Sequence, residues 1–275
     1  MPTIHDVAEF REAVLSHFAQ AGRSFPWRET RDPWLILVSE FMLQQTQTER
    51  VLPYFLKWSR LWPDAVSLAH APLEDVIREW SGLGYNRRAR FLQNCAKISV
   101  EKYSGLLPED PEELDALPGV GPYTARAVAT FAFGRPEIFL ETNIRAAVLH
   151  FFFPNQQKVA DSELLPYLEA SLDHSDPRRW YWALMDYGSA LKRITVNPSR
   201  RSAAYTRQAP FEGSVRQARG AALRSLASHG PAILADLSER TGLEFNRLTP
   251  ALNALAADGL VCENSGLYFI PPSSS

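Results

Sequence analysis

Cysteine is scarce in this 275-residue chain, which has only Cys95 and Cys262. Two thiols are too few for a disulfide framework or an all-cysteine metal site. No apolar run reaches the roughly 18 residues that a membrane-spanning helix needs, and the first residues lack the basic start and apolar core of a signal peptide. The 20 prolines and 14 glycines are scattered, which excludes collagen-like and low-complexity sequence. We therefore expect a soluble, intracellular protein with a packed core.

Strand-like alternation is also scarce, at least before residue 260. Apolar residues recur three or four positions apart in 7–18, 51–58 and 73–80, which is the spacing of amphipathic helices. Proline and glycine divide the chain into helical segments of about 10–15 residues. The sequence therefore predicts an all-α fold without an internal repeat of fixed period.

The last 65 residues have a different pattern. We predict helices over 215–226, 232–240 and 246–257, followed by a hairpin around the turn residues 264–266. Three short helices and a hairpin indicate a winged-helix module covering 211–275. Its charges are balanced, whereas a module that binds a DNA groove is usually basic. The pattern therefore leaves two roles open, namely DNA contact and packing against the protein or a partner.

The net charge of −2 hides a basic segment. Between Arg178 and Arg224 there are ten basic and two acidic residues, so this segment carries +8 and the rest of the chain −10. Such a cluster is either a solvated basic face or a surface for the phosphates of a nucleic acid.

The segment Leu117–Thr124 combines two glycines with the start of an apolar helix. In such a turn several backbone N–H groups around Gly119, Val120, Gly121 and Thr124 lack intrahelical partners, and they favour an anion such as a DNA phosphate. A plain turn is the commoner explanation of two glycines before a helix. The flanking leucine and proline make an anion-binding helix-hairpin-helix the more specific interpretation.

A single carboxylate, Glu40, lies in the apolar run Trp34–Leu43. Burial in such a run would raise its pKa and favour the protonated form, as a general acid near neutral pH requires. The alternative is an ordinary glutamate at a helix surface. The amides of Gln44 and Gln45 follow one turn later, and flat amides of this kind can fill a gap in a base stack.

Four motifs together resemble one family, the MutY-type adenine DNA glycosylases of the helix-hairpin-helix (endonuclease III) superfamily. They are PWR (26–28), VSEFMLQQTQ (38–47), GLGYNRRARFL (82–92) and LPGVGPYTA (117–125). The resemblance covers residues from about 25 to 190. It implies an all-α glycosylase fold of two helical subdomains, 25–135 and 1–24 plus 136–210, before the winged-helix module.

The resemblance also implies catalytic roles. Glu40 matches the glutamate that protonates the departing base. Glu141 stands where the family has an aspartate that stabilises the sugar cation, and Asn143 would orient it. Tyr123 occupies the position at which bifunctional relatives carry a Schiff-base lysine, so that hydrolysis without strand cleavage is expected.

Further residues match DNA-contacting positions of the family. Gln44, Gln45 and Tyr85 would wedge into the duplex beside a flipped nucleotide, and Arg28 would line the base pocket. Within the basic segment, four side chains would bind phosphates: Lys192, Arg193, Arg200 and Arg201.

Two departures from the family concern whole elements. The four cysteines that usually hold an iron–sulfur cluster correspond to Lys192, Ser199, Ser202 and Gln208, none of which supplies a thiolate. We therefore expect no cluster, no other metal and no cofactor. A module of about 65 residues is also too short for the Nudix-like domain that checks for 8-oxoguanine, and its pattern differs.

The expected function is that of a monofunctional DNA glycosylase, acting as a cytoplasmic, nucleoid-associated monomer on double-stranded DNA and not on a membrane. Adenine opposite 8-oxoguanine or guanine is the first expected target. The alternatives are a glycosylase for thymine or uracil mispaired with guanine or for another modified base, and a non-catalytic DNA-damage-binding or winged-helix regulatory protein.

Overall fold

The computed structural model describes residues 4–206 and 210–272. Helices dominate these residues, in agreement with the predicted fold, and none of the described helices is long and apolar enough to cross a membrane. The helices are α1 (Ile4–Ala21), α2 (Pro26–Glu29), α3 (Pro33–Leu43), α4 (Thr48–Leu61), α5 (Ala65–Ala69), α6 (Leu73–Trp80), α7 (Arg87–Tyr103), α8 (Pro111–Asp115), α9 (Pro122–Phe133), α10 (Thr142–Phe152), α11 (Asp161–Ser171), α12 (Pro177–Ile194), α13 (Val215–His229), α14 (Leu234–Thr241) and α15 (Phe245–Ala257), with a short 3-10 helix at Pro198–Arg201.

The chain forms two compact units whose boundaries differ from the expected ones. The first unit contains residues 1–36, 109–115 and 120–207, and the second contains 37–108, 116–119 and 208–275. Helix α9, expected in the same subdomain as α4–α7, belongs to the first unit because it packs on α8 and α12. The C-terminal module belongs to the second unit because α13 packs on α6.

The first unit is built around the contact between α10 and α12. Gly188 in α12 makes this contact close, since a Cβ at that position would lie 1.9 Å from the carbonyl oxygen of Asn143. Phe10 of α1 completes the core, with its ring 5.0 Å from that of Phe152 and 6.0 Å from that of Trp180. These contacts fix the start of α10, where two of the predicted catalytic residues lie.

The second unit has its core between α4, α6 and α7. Trp58 and Trp80 are fully buried, and their rings meet edge to face at 5.1 Å. Gln93 of α7 donates to the carbonyl oxygen of Ala71 at 2.7 Å, which satisfies a buried amide. The loops before α4 and before α7 are thereby held on one packed support.

The C-terminal module has the predicted helices and hairpin and one further strand. Strands β1 (Ala232–Ile233), β2 (Cys262–Asn264) and β3 (Leu267–Phe269) form an antiparallel sheet in the order β1-β3-β2. The prediction of helix over 232–240 was wrong at its first two residues, because these pair with Tyr268 and Leu267 instead. Ser265 and Gly266 both have positive φ, as a two-residue hairpin turn requires.

Candidate active site

Glu40 lies in the second unit, near the end of α3. Only 6% of its surface is exposed, and its neighbours Ser39 and Phe41 are buried as well. The structure thus places Glu40 among the buried residues, as its position in an apolar run predicts. Its role as a general acid stays a prediction.

Glu141 and Asn143 lie together at the start of α10 in the first unit. Oε1 of Glu141 caps the helix by accepting the backbone N–H groups of Asn143 at 2.7 Å and Ile144 at 2.8 Å. Oε2 accepts from the Asn143 side-chain amide at 3.2 Å. The amide oxygen of Asn143 in turn accepts from Nζ of Lys192 at 2.8 Å. The carboxylate is therefore held in one orientation by its own helix and by a side chain that is itself fixed by Lys192.

The charge state of Glu141 is set by opposing effects. Burial raises the pKa of this carboxyl group above its usual value. The backbone N–H groups of Asn143 and Ile144 and the charges of Lys192 and Arg145 lower the pKa, but they do not cancel the effect of burial. Burial likewise lowers the pKa of Lys192, although the charge of Glu141 raises it in part. In both groups the effect of burial is the largest, and the opposite charge of the other group offsets only part of it.

The predicted wedge residues lie on two loops of the second unit. Gln45 and Tyr85 both have positive φ, at 56° and 49°, a conformation that is costly for residues other than glycine. Gln44, Gln45 and Tyr85 all line a cavity of about 1080 Å³. Tyr85 and Gln45 are also exposed. The structure thus brings the three predicted wedge side chains to one surface, with two of them in a strained backbone.

Arg88 connects the two wedge loops, and sequence reasoning missed it. Its guanidinium is buried and its pKa is lowered to about 10 by that burial, against a raising effect of Tyr85. Six oxygen atoms of the loops and of the end of α3 accept hydrogen bonds from it, at 2.5–3.4 Å: the carbonyls of Phe41, Met42, Gln44, Leu83 and Gly84 and the hydroxyl of Thr46. A single side chain thereby fixes the backbone of both loops.

The predicted helix-hairpin-helix is formed by α8 and α9. Gly119 has a φ of 74°, and a Cβ there would lie 2.4 Å from Cδ2 of Phe91, so only glycine fits. Gly121 is the N-cap of α9. The side chains of Val120 and Thr124 are buried, so any anion at this turn would meet backbone N–H groups. Tyr123 packs edge to face on Phe139 at 5.7 Å.

Arg28 has a structural partner that the sequence did not indicate. Nη1 and Nη2 each donate to a carboxylate oxygen of Asp186 at 2.9 Å, and Arg23 shares the same carboxylate. The Arg28 side chain is 8% exposed and that of Asp186 1%. The Arg28 guanidinium is therefore engaged in a buried ion pair within the first unit. Its place in the base pocket stays a prediction.

The predicted phosphate-binding residues of the basic segment include both exposed and internal side chains. Arg193 and Arg200 are exposed, as phosphate-binding residues would be. Arg201 instead donates through Nη1 to the carbonyl of Pro154 and through Nη2 to that of Leu149 at 2.9 Å, which satisfies acceptors after α10 and near its end. The terminal nitrogens of Arg201 thus have a structural role, and phosphate binding by this residue stays a prediction.

The residues at the cluster positions do not fit an iron–sulfur cluster. Lys192 is bonded to Asn143, and Oγ of Ser199 donates to the carbonyl of Thr142 at 2.8 Å. Oγ of Ser202 accepts a backbone N–H two residues on at 3.1 Å. Gln208 lies outside the described residues. In the described ranges, no three His, Cys, Asp or Glu side chains are grouped so as to hold a metal ion.

Comparison with known proteins identifies the family. A model of the HhH-GPD superfamily of base excision DNA repair proteins matches residues 38–166. An adenine DNA glycosylase of Mycobacterium tuberculosis is 34% identical over an alignment that covers 94% of this chain and 92% of that protein. One from Mycolicibacterium smegmatis is 36% identical, with 90% and 91% covered. The chain therefore belongs to the HhH-GPD superfamily of base excision DNA repair proteins.

It is, in particular, a DNA glycosylase, and solved structures confirm the fold. A thermostable thymine-DNA glycosylase aligns with a TM-score of 0.61 and 25% identity over 67% of this chain and 87% of its own. Endonuclease III trapped on DNA aligns with a TM-score of 0.57 and 21% identity over 77% and 92%. The mycobacterial alignments cover more of the chain than the motif-bearing residues 25–190, so the similarity is not confined to that part.

Proposed function

We propose that this DNA glycosylase removes adenine mispaired with 8-oxoguanine or guanine and leaves an abasic site. The orientation of Glu141 by Asn143 supports the reaction class, because a fixed carboxylate suits a reaction that passes through a sugar cation. The names of the mycobacterial relatives support adenine as the target. The enzyme would act on DNA in the cytoplasm as a monomer.

The proposed reaction uses two carboxyl groups in different protonation states. Glu40 donates its proton to the departing adenine, and the glycosidic bond breaks with its electron pair going to the base. The carboxylate of Glu141 stabilises the oxocarbenium ion that remains. Water then adds at C1′ and releases a proton, and Glu40 is reprotonated from solvent. The buried setting of Glu40 and the helix-capped setting of Glu141 suit these separate roles.

The wedge makes the base accessible to these groups. Extruding a nucleotide leaves a gap in the base stack, and the amides of Gln44 and Gln45 with the ring of Tyr85 would fill it. Holding the two loops through Arg88 prepares this surface before DNA binds, so that less ordering is needed on binding.

The proposed enzyme cleaves no DNA strand and uses no metal. Tyr123 has no amine with which to form an imine, so the reaction stops at hydrolysis. Thiolates are required for an iron–sulfur cluster, and the described cluster positions carry engaged lysine and serine side chains. Iron analysis of the purified protein should find less than stoichiometric metal, and light scattering should give the mass of one chain. Stoichiometric iron or a dimer mass would contradict these two points.

An oligonucleotide panel tests the reaction and the target base. Duplexes that carry adenine opposite 8-oxoguanine, adenine opposite guanine, or thymine or uracil opposite guanine are incubated with the full chain and then treated with alkali to cleave abasic sites. We expect release of adenine and no cleavage before alkali. Release of thymine instead would favour the second candidate, which the structural likeness to a thymine-DNA glycosylase supports.

Replacing Glu40 tests the proposed acid. A general acid contributes about 10²–10⁴ in rate, so Glu40→Gln should slow adenine release by that factor and leave duplex binding within a few-fold. Glu101→Gln is the matched control, because Glu101 is an exposed carboxylate on α7. Wild-type turnover by Glu40→Gln would show that Glu40 is not the acid.

A further inference from the structure

The cavity that holds the wedge loops has a second wall, formed by the C-terminal module. Besides Gln44, Gln45 and Tyr85, it is lined by residues of α13 and of the segment before it, including Phe211 and Arg224. Its lining contains six arginines and one aspartate: Arg50, Arg87, Arg88, Arg216, Arg219, Arg224 and Asp258. An excess of five positive charges in one cavity favours a polyanion such as the DNA backbone.

The single aspartate in this lining does not oppose an anion. Asp258 is paired with Arg219 and, at 3.4 Å, with Arg87, so its negative charge is compensated within the protein. Arg224 is exposed on α13 and faces the same cavity. Gly220 lies one turn before it, and a Cβ there would lie 3.5 Å from Nη1 of Arg224.

The module is fixed to the helices that carry the wedge. Nε of Arg78 in α6 donates to the carbonyl of Ala227 in α13 at 3.2 Å, and Nη1 of Arg90 in α7 donates to the carbonyl of Asp258 at 2.8 Å. The module is thus bonded to the two helices that flank the wedge loop at Tyr85.

Helix α13 also contacts the wedge itself. Nη1 of Arg216 donates to the hydroxyl of Tyr85 at 2.9 Å, and the Arg216 guanidinium lies 5.9 Å from the centre of the Tyr85 ring. Tyr85 is one of the two wedge residues with a positive φ. The first helix of the module and the wedge thus share one surface.

The side of the module that faces the cavity is not the one that winged helices usually present. In helix-turn-helix proteins the recognition helix enters the groove of the DNA. In this order of elements the recognition helix would be α15. Among the residues lining the cavity, none comes from α15 or from the hairpin between β2 and β3. The basic residues of the module that line the cavity all lie on its first helix.

We propose that α13 is a DNA-binding element of this glycosylase and that Arg224 binds a backbone phosphate beside the wedge. The proposal rests on the proposed function, since the wedge defines which part of the duplex the cavity meets. Phosphate contacts position a protein on DNA without reading its sequence, so α13 would hold the duplex against Gln44, Gln45 and Tyr85.

Salt-dependent binding of the full chain tests this proposal. The probe is a fluorescent duplex with a tetrahydrofuran abasic analogue opposite guanine, which the enzyme cannot turn over. Each phosphate contact contributes about 0.9 to the slope of log affinity against log salt. We expect Arg224→Ala and Arg224→Gln to weaken binding several-fold at low salt. Each variant should also reduce the magnitude of the slope by about 0.9, the contribution of one phosphate contact. Arg240→Ala is the matched control, because Arg240 is exposed on α14 and does not line the cavity.

The outcomes separate the possible errors. Equal slopes for the Arg224 and Arg240 variants would overturn the proposal. A smaller slope only for Arg247→Ala, which removes the basic side chain of α15, would show that α15 binds the DNA instead. A single methylphosphonate near the abasic analogue should abolish the difference between wild type and Arg224→Ala. If wild type binds and shows this difference but releases no adenine, the proposed function fails and the role of α13 stands.

Discussion

The side-chain amide of Asn143 donates to Oε2 of Glu141 at 3.2 Å and accepts from Lys192 at 2.8 Å. It therefore connects the carboxylate proposed to stabilise the sugar cation with a cation from α12. The sequence predicts that Lys192 binds phosphate, and its contact with Asn143 suits it to a second role, that of positioning Glu141.

A pH profile distinguishes the two roles of Lys192. Glu141 must be ionised to act, and its pKa is raised by burial against the lowering effects of Asn143, Ile144, Lys192 and Arg145. Removing one positive charge raises the pKa of Glu141 further, so Lys192→Met should move the acid limb of the single-turnover rate to higher pH. Arg193→Met, its exposed neighbour, should leave the limb in place. Weaker DNA binding with an unmoved limb would restore the phosphate-binding role of Lys192.

The Arg88 guanidinium should be needed for both the stability and the activity of the second unit. Lysine has three donors and cannot serve six acceptors, and each buried acceptor left unsatisfied costs about 1–3 kcal/mol. We expect Arg88→Lys to lower the free energy of unfolding by at least that amount and to slow base release more than it weakens nonspecific binding. Arg60→Lys is the control for the denaturant-unfolding and excision assays, because Arg60 is exposed on α4 and does not line the cavity. Unchanged unfolding and excision in Arg88→Lys would contradict this role.

The buried pair of Arg28 and Asp186 should stabilise the first unit in a pH-dependent way. Burial alone raises the pKa of Asp186, but the hydrogen bonds and charges of Arg28 and Arg23 outweigh it and hold that pKa below its usual value. The stabilisation is therefore present above the unfolded-state pKa, about 4, and is lost as the pH falls through the lower folded-state pKa. Removing one partner of a buried pair costs about 3–5 kcal/mol.

Thermal or denaturant unfolding of Asp186→Asn checks this expectation. The loss of stability relative to wild type should be large at pH 7. It should become smaller as the pH falls below about 4, because Asp186 of the wild type then becomes protonated and loses its charge. Glu109→Gln, an exposed carboxylate, serves as the control. If the loss of stability is the same at pH 7 and at a pH below about 4, Asp186 contributes through packing and not through its charge.

Two adjacent arginines should give opposite phenotypes. Arg200 is exposed, whereas both terminal nitrogens of Arg201 are bonded to backbone carbonyls. We expect Arg200→Ala to weaken binding to all duplexes and reduce the salt slope by about 0.9 without changing the melting temperature. Arg201→Ala should lower the melting temperature with little change in slope. The reverse result would show that Arg201, and not Arg200, is the phosphate ligand.

Local patterns predicted local structure well. Apolar spacing identified α1, α4 and α6, and the two glycines after Leu117 identified the turn before α9. Long-range partners were not predictable in this way. Asp186 lies 158 residues from Arg28, and Arg216 lies 131 residues from Tyr85. Nothing in the periodicity of a helix specifies such pairs, because they depend on how the elements pack.

The close approach of Gly188 to the carbonyl of Asn143 limits what mutation can do to this enzyme. Any side chain at position 188 would push back the first turn of α10, which carries Glu141 and Asn143. If every residue were substituted and the variants assayed for activity, substitutions of Gly188 should therefore reduce activity as much as substitutions of the catalytic residues. Gly188 would have this effect although it has no functional side chain. Alanine normally favours a helix by about 1 kcal/mol over glycine, so a glycine-to-alanine exchange meant to stabilise α12 would inactivate the enzyme instead.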